Sequence, residues 1–133
     1  MYDFAFNAHS GFRYLVLLVG VLAALYALIG LMRKQPVDKA GMSLMRVWTV
    51  VLDIQFLLGV LTLIALIMAG RFTGQLIGHL VLVVAAVAVA HMGTMKLKKA
   101  DPGTRTYGSM LATALIPLLV IIGGILAIGR PIV

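Results

Sequence analysis

Four long apolar runs dominate the sequence and restrict the folds available to it. They cover residues 14–32, 47–69, 76–95 and 107–128, and the only formal charge within them at neutral pH is Asp53. A helix needs about 20 mostly apolar residues to cross the ~30 Å hydrocarbon core of a bilayer. We therefore predict an all-α integral membrane protein with four transmembrane helices.

The composition argues against the other fold classes. Hydrophobic residues make up 62% of the chain and charged residues 11%, whereas a soluble domain carries about 25% charged residues. Disorder requires low hydrophobicity and high net charge. A membrane β-barrel requires strict alternation of apolar and polar residues, and the four runs lack it. The chain has no cysteine, which excludes disulfides and thiolate chemistry.

The segments between the runs are short. They comprise residues 33–46, 70–75 and 96–106, and connections of this length join neighbouring helices in antiparallel order. The sequence therefore predicts one domain, residues 1–133, folded as an up-down-up-down bundle.

The basic residues are distributed unequally between the two ends of this bundle. The first and third connections, with their flanks, hold eight of the eleven: Arg33, Lys34, Lys39, Arg46, Lys96, Lys98, Lys99 and Arg105. The other end holds Arg13, Arg71 and Arg130. Loops rich in Lys and Arg remain on the cytoplasmic side, so we expect both termini outside. Topology and anionic lipid account for the net charge of +7 without a nucleic-acid partner.

Two histidines lie within the third run. His79 and His91 are twelve residues apart, which is about 18 Å along a helix, so they cannot bind one metal ion together. Each could bind one of two haems stacked across the bilayer, with ligands from facing helices. Alternatively, each imidazole hydrogen-bonds a neighbouring helix, as polar side chains in membranes often do. The spacing of the two histidines does not distinguish haem binding from hydrogen bonding.

A third histidine, His9, precedes the first run on the same side of the membrane as His79. A haem could be held between helices 1 and 3 by these two side chains, although their expected depths differ by about 12 Å. Arg13 follows His9 by four residues and shares its helix face. Arg13 and Arg71 could pair with haem propionates through bidentate contacts. Contact with lipid headgroups is the alternative for both arginines.

Asp53 is the costliest residue to place in lipid, and such residues are functional candidates by default. It lies about 9 Å into the second run from the basic side, and His91 lies about 6 Å into the third. We expect the two side chains to meet. The carboxylate would then orient the imidazole, as carboxylates do for metal-bound histidines, or the pair would relay protons.

Three segments carry a resemblance to a known group. They are HSGFRYLV at 9–16, QFLLG at 55–59, and His79 followed by HMG at 91–93 with the basic run 96–99. Over nearly its whole length, the chain resembles a group of small bacterial four-helix membrane proteins labelled cytochrome B.

The resemblance implies a haem-b protein of the bacterial cytoplasmic membrane that transfers electrons between the quinone pool and a partner. His9, His79 and His91 are its candidate ligands. Some members of the group have histidine two residues before the helix 2 glutamine, where this chain has Asp53. This departure favours one haem, at the outer site, over two.

Two other functions fit the same residues. A haem-free accessory subunit of a larger respiratory or photosynthetic complex, or a homo-oligomer, would use the small residues of its helices for packing. A proton-coupled transport component would use Asp53 and His91. The chain lacks a nucleotide fingerprint or a nucleophile–base set, so we expect an electron-transfer or accessory subunit rather than a stand-alone enzyme.

Overall fold

A computed structural model describes residues 2–129 of the chain, and four long helices account for most of them. Each is long and apolar enough to cross a membrane, as predicted. The helices are α1 (Tyr2–Arg33), α2 (Lys39–Met68), α3 (Gln75–Lys99) and α4 (Tyr107–Ala127), and a short 3-10 helix (Pro102–Thr104) precedes α4. Arg130, counted above among the basic residues, lies outside the described residues.

Caps rather than hydropathy set the helix boundaries. The carboxylate of Asp38 accepts a hydrogen bond from the Gly41 amide at 2.8 Å and begins α2. The Thr106 hydroxyl accepts from the Ser109 amide at 3.2 Å and begins α4. Both are preferred N-cap residues because their short side chains satisfy amides that the first turn leaves unpaired.

The turn from α2 to α3 depends on one glycine. Gly70 has φ +68°, a left-handed conformation that glycine adopts at little cost. Its amide donates to Ile67 O at 3.1 Å, and the next amide, of Arg71, donates to Leu66 O at 2.9 Å. This is the Schellman pattern of a helix C-terminus. It places Arg71 in the connection between α2 and α3.

The helices are arranged in chain order around the bundle. α1 packs against α2 and α4, and α3 packs against the same two helices. Within residues 2–129 the backbones of α1 and α3 make no contact, so these two helices are diagonal. The contact between α2 and α3 is the least extensive of the four adjacent pairs.

The two ends of the bundle are packed differently. We call the end with the α1–α2 and α3–α4 connections the basic end, and the end with the α2–α3 connection the turn end. Trp48, Met45 and Met110 are fully buried in the half nearer the basic end. Close packing is therefore concentrated there.

A proline in α4 is part of this packing. Pro117 has no amide hydrogen, so the carbonyl of Thr113 lacks its usual partner within the helix. The indole Nε1 of Trp48 donates to that carbonyl at 3.3 Å. A hydrogen bond between helices thus satisfies this backbone carbonyl, to which the hydrocarbon of a bilayer could not donate a hydrogen bond.

Candidate functional site

The structure brings together two of the three histidines. The ring centres of His9, on α1, and His79, on α3, are 6.4 Å apart, and the ring planes are at 85°. The expected difference in depth does not keep them apart, because α1 begins at Tyr2 and carries His9 within its regular helix. The two imidazoles therefore bridge the diagonal helices.

His79 is held by α4. Its Nδ1 lies 3.1 Å from the Gly124 carbonyl oxygen, so the tautomer that donates this hydrogen bond leaves Nε2 unprotonated. Gly124 also allows close approach, because a Cβ there would lie 3.4 Å from Nδ1 of the ring. A histidine fixed through one nitrogen presents the other to a metal ion in a defined direction.

α2 holds His9 through the backbone and through a small residue. Nε2 of Gln55 donates to the His9 carbonyl oxygen at 3.0 Å, and the Thr62 hydroxyl donates to the Ala5 carbonyl oxygen at 3.0 Å. The His9 ring lies over Gly59, where a Cβ would come within 3.1 Å of its Cε1 atom. Gln55 and Gly59 are the first and last residues of the QFLLG segment.

Two cavities share the histidine pair as a common wall. The larger, about 290 Å³, lies between α2 and α3 at the turn end, and its lining includes Phe6, Phe56, Leu63 and Leu80. The smaller, about 70 Å³, extends toward α4 and is lined by Ile121 and Ile125 among others. Ligand pockets have this character, with mostly apolar walls and a few polar groups at fixed positions.

Three buried polar atoms around these cavities have no hydrogen-bond partner among the described residues. They are Nδ1 of His9, Oε1 of Gln55 and Nε of Arg13. An unpaired buried donor or acceptor costs about 1–3 kcal/mol, and native proteins rarely leave several together. These three atoms are therefore available to hydrogen-bond a ligand or water molecules in the cavities.

The two candidate arginines line different cavities. Arg71 borders the larger cavity and Arg13 the smaller. The Arg13 guanidinium also donates to the Tyr14 hydroxyl at 3.2 Å and lies 5.0 Å from the centre of that ring. Each cavity thus has one permanent cation in its wall.

His91 takes part in a separate pair. Its Nε2 lies 2.6 Å from Oδ1 of Asp53, which confirms the expected contact between these two residues. The side chains are 44% and 48% exposed, respectively. The residues described contain no group of three or more His, Cys, Asp or Glu side chains that could hold a metal ion.

The geometry of His9 and His79 suits one metal ion held between two imidazoles. Metal–nitrogen bonds to histidine are about 2.0–2.1 Å long, so the two nitrogens of such a pair are about 4 Å apart and the ring centres roughly 6 Å apart. The 6.4 Å separation matches this. Both cavities border this pair.

No family model, curated protein or solved structure matches the chain.

Sequence reasoning did not identify the groups that position the histidines. The position of Gln55 in the sequence does not predict its contact with the His9 backbone. In the sequence, Gly59 and Gly124 are distinguished only by their small size. Small residues also occur wherever two membrane helices pack closely, so their presence does not predict contact with a histidine.

Proposed function

We propose that this protein is a membrane b-type cytochrome in which His9 and His79 would hold haem b between α1 and α3. It would transfer electrons between the quinone pool and a partner protein in a bacterial cytoplasmic membrane. The observation that carries the proposal is the imidazole pair, 6.4 Å between centres, in a wall common to two cavities.

The chain's own residues would bind and orient the group. Gly124 holds His79 through Nδ1, so Nε2 would be the nitrogen available to the haem. Gln55 fixes the backbone of His9, and Gly59 leaves space for its ring. When bound, haem b supplies a one-electron redox centre. The apolar cavity walls would exclude water from it.

The arginines would neutralise the acidic groups of haem b. Its two propionates are carboxylates, and guanidinium binds carboxylates in a bidentate manner. Arg71 and Arg13 border the two cavities, so both are candidate partners for the propionates. This assignment also supplies an acceptor for Nε of Arg13.

We propose one haem rather than two. Asp53 engages Nε2 of His91 at 2.6 Å, which leaves that nitrogen occupied. The departure from histidine at position 53 supports the same conclusion.

The absorption spectrum of the protein, purified in detergent after expression with added haem, tests the proposal. We expect a b-type spectrum that changes on reduction with dithionite, and one haem per chain by pyridine haemochrome assay. A protein that stays colourless would contradict the proposal and favour the haem-free accessory subunit.

Variants of the three histidines test the ligand assignment. His9→Ala and His79→Ala should each reduce haem content at least tenfold, because each would remove one of the side chains that hold the haem. The control, His91→Ala, should retain haem, since its side chain bonds Asp53 instead. Full haem retention in both His9→Ala and His79→Ala would overturn the assignment. Circular dichroism verifies that each variant keeps its helices.

A further inference from the structure

The Asp53–His91 pair leaves two hydrogen-bond acceptors free. An ionised carboxylate only accepts hydrogen bonds, so Nε2 of His91 donates to Oδ1 of Asp53 across the 2.6 Å contact. Nδ1 of the same neutral ring and Oδ2 of the carboxylate are then both acceptors, and within residues 2–129 neither has a hydrogen-bond partner. The side chains of His91 and Asp53 are 44% and 48% exposed, so about half of each is open to a ligand.

The surface around the pair is apolar. Residues three or four positions away along a helix are neighbours on its surface. The exposed neighbours of the pair at this spacing, on α2 and on α3, are Val50, Leu57, Ala88 and Met95. The pair is therefore a polar spot within an apolar surface, and polar side chains of membrane spans are seldom left to face lipid.

The depth of the pair restricts what can occupy this spot. Asp53 is seven residues from Arg46 along α2, and His91 is five residues from Lys96 along α3. These separations correspond to about 10 Å and about 8 Å along the helix axes, and apolar side chains separate the pair from the basic end. The occupant that fits is a molecule soluble in the hydrocarbon of the bilayer that carries two hydrogen-bond donors.

Three other occupants match the pair less well. A metal ion needs further ligands, and residues 2–129 contain no group of three or more His, Cys, Asp or Glu side chains that could hold one. The phosphate of a lipid headgroup is itself an acceptor and carries the same charge as the carboxylate. A second copy of this chain would bring the same two acceptors to the contact, and two acceptors form no hydrogen bond with each other.

We propose that the Asp53–His91 pair binds the hydroxyl groups of a quinol, the reduced form of a lipid-soluble quinone. The two hydroxyls of a quinol are donors, its ring and tail are apolar, and it reaches the pair from within the bilayer. Apolar surroundings with a few polar groups at fixed positions are typical of small-molecule sites. The proposal rests on the proposed function, in which the quinone pool exchanges electrons with this protein.

The position of the pair agrees with that function. Gly59, which lies beside the His9 ring, is six residues from Asp53 along α2, or about 9 Å along the helix axis. Neither Asp53 nor His91 lines the two cavities at the histidine pair. A quinol at this spot would therefore be close to the candidate haem site but outside it, so the two ligands can be measured separately.

Retention of a quinol by the purified protein tests the proposal. The protein is reconstituted in phosphatidylcholine nanodiscs, incubated with decylubiquinol in the absence of oxygen and re-isolated, and the quinol per chain is measured by liquid chromatography. We expect retention above that of empty nanodiscs. The dimethyl ether of the same quinol keeps the ring and tail but lacks both donors. It should be retained roughly fivefold less, because each hydrogen bond to a buried or charged partner adds to the affinity.

Variants of the pair test the location of the site. Asp53→Leu with His91→Leu removes both acceptors and should lower quinol retention roughly fivefold. The matched control is Met92→Leu, which changes an exposed apolar residue adjacent to His91 and should retain quinol as the unaltered protein does. Circular dichroism verifies that each variant keeps its helices, and the dimethyl ether comparison needs no variant at all.

Equal retention of the quinol and its dimethyl ether by the unaltered protein would overturn the proposal, since the hydroxyls would then have no part in binding. Unchanged retention in the folded double variant would also overturn it, because the ligand would then lie elsewhere. A protein that contains haem but retains no quinol would contradict this proposal and leave the haem assignment intact. A colourless protein that retains quinol through the pair would contradict the haem assignment alone.

Discussion

Asp38 contacts three helices at the basic end. Its carboxylate accepts hydrogen bonds from the Gly41 amide at 2.8 Å and from the Tyr26 hydroxyl at 2.7–2.8 Å. Its own amide donates to the Tyr107 hydroxyl at 3.3 Å. One residue of the α1–α2 connection thus links three helices.

These contacts make stability depend on pH in one direction. The Gly41 amide and the Tyr26 hydroxyl lower the pKa of the Asp38 carboxyl below its usual 3.8, because both favour the ionised form. A lowered folded-state pKa gives stability that is present above the unfolded pKa and lost as pH falls through the folded value.

We therefore predict that Asp38→Ala lowers the free energy of unfolding by about 1 kcal/mol at neutral pH, a typical N-cap contribution. The difference from the unaltered protein should diminish below about pH 4, where the carboxyl becomes protonated. Thermal unfolding in detergent at several pH values measures this. The control is Asp101→Ala, because the Asp101 side chain caps no helix. A difference that grew on acidification would contradict the assignment.

At the scale of helices, glycines determine how closely α4 approaches its neighbours. A Cβ on Gly93 of α3 would overlap the side chain of Thr113, and one on Gly30 of α1 would overlap the Tyr107 ring. By contrast, Gly123 has no heavy atom within 4 Å of a Cβ. The same residue type thus has different roles within one bundle.

We predict that Gly93→Ala destabilises the protein by about 1–3 kcal/mol, the usual cost of adding a methyl group to a packed contact. Gly123→Ala is the matched control and should be neutral or stabilising by up to about 1 kcal/mol, because alanine favours helix more than glycine does. Thermal unfolding of both variants in detergent compares them. Equal midpoints would show that α3 and α4 can separate without cost.

Hydropathy does not predict where the helices begin and end. The apolar run at 14–32 predicted the first span, whereas α1 occupies Tyr2–Arg33; likewise the run at 47–69 corresponds to α2 at Lys39–Met68. An apolar run identifies the part of a helix suited to lipid, but a cap or a break ends the helix. The early start of α1 is what includes His9 in the bundle.

At the scale of the whole molecule, the sequence predicted the four helices and their order, because length and apolarity determine both. It also proposed the pair His9–His79 on the parallel helices 1 and 3, and the pair Asp53–His91 on the antiparallel helices 2 and 3. It could not predict the contacts from Gln55, Gly59 and Gly124, since these depend on how the helices tilt and rotate. Composition carries no information about either.

The orientation of the bundle follows from the asymmetry of its charges. We predict that the basic end faces the cytoplasm and that both termini face outward. A membrane-impermeant maleimide should label Thr73→Cys in intact cells and Gly103→Cys only after lysis. Both positions are exposed, in the α2–α3 turn and before α4, respectively. Labelling of Gly103→Cys in intact cells would show the reverse orientation.

The diagonal placement of α1 and α3 has a consequence for assembly in the cell. Their backbones do not touch in the part of the chain described, so a ligand held by both His9 and His79 would act as a tie between them. By mass action, a ligand concentration of a hundred times Kd adds about 2.7 kcal/mol to the free energy of unfolding. The thermal midpoint then rises with ligand concentration. Chains that fail to acquire the ligand would open more often at the turn end. Proteolytic quality control could thus remove unloaded copies without any dedicated sensor.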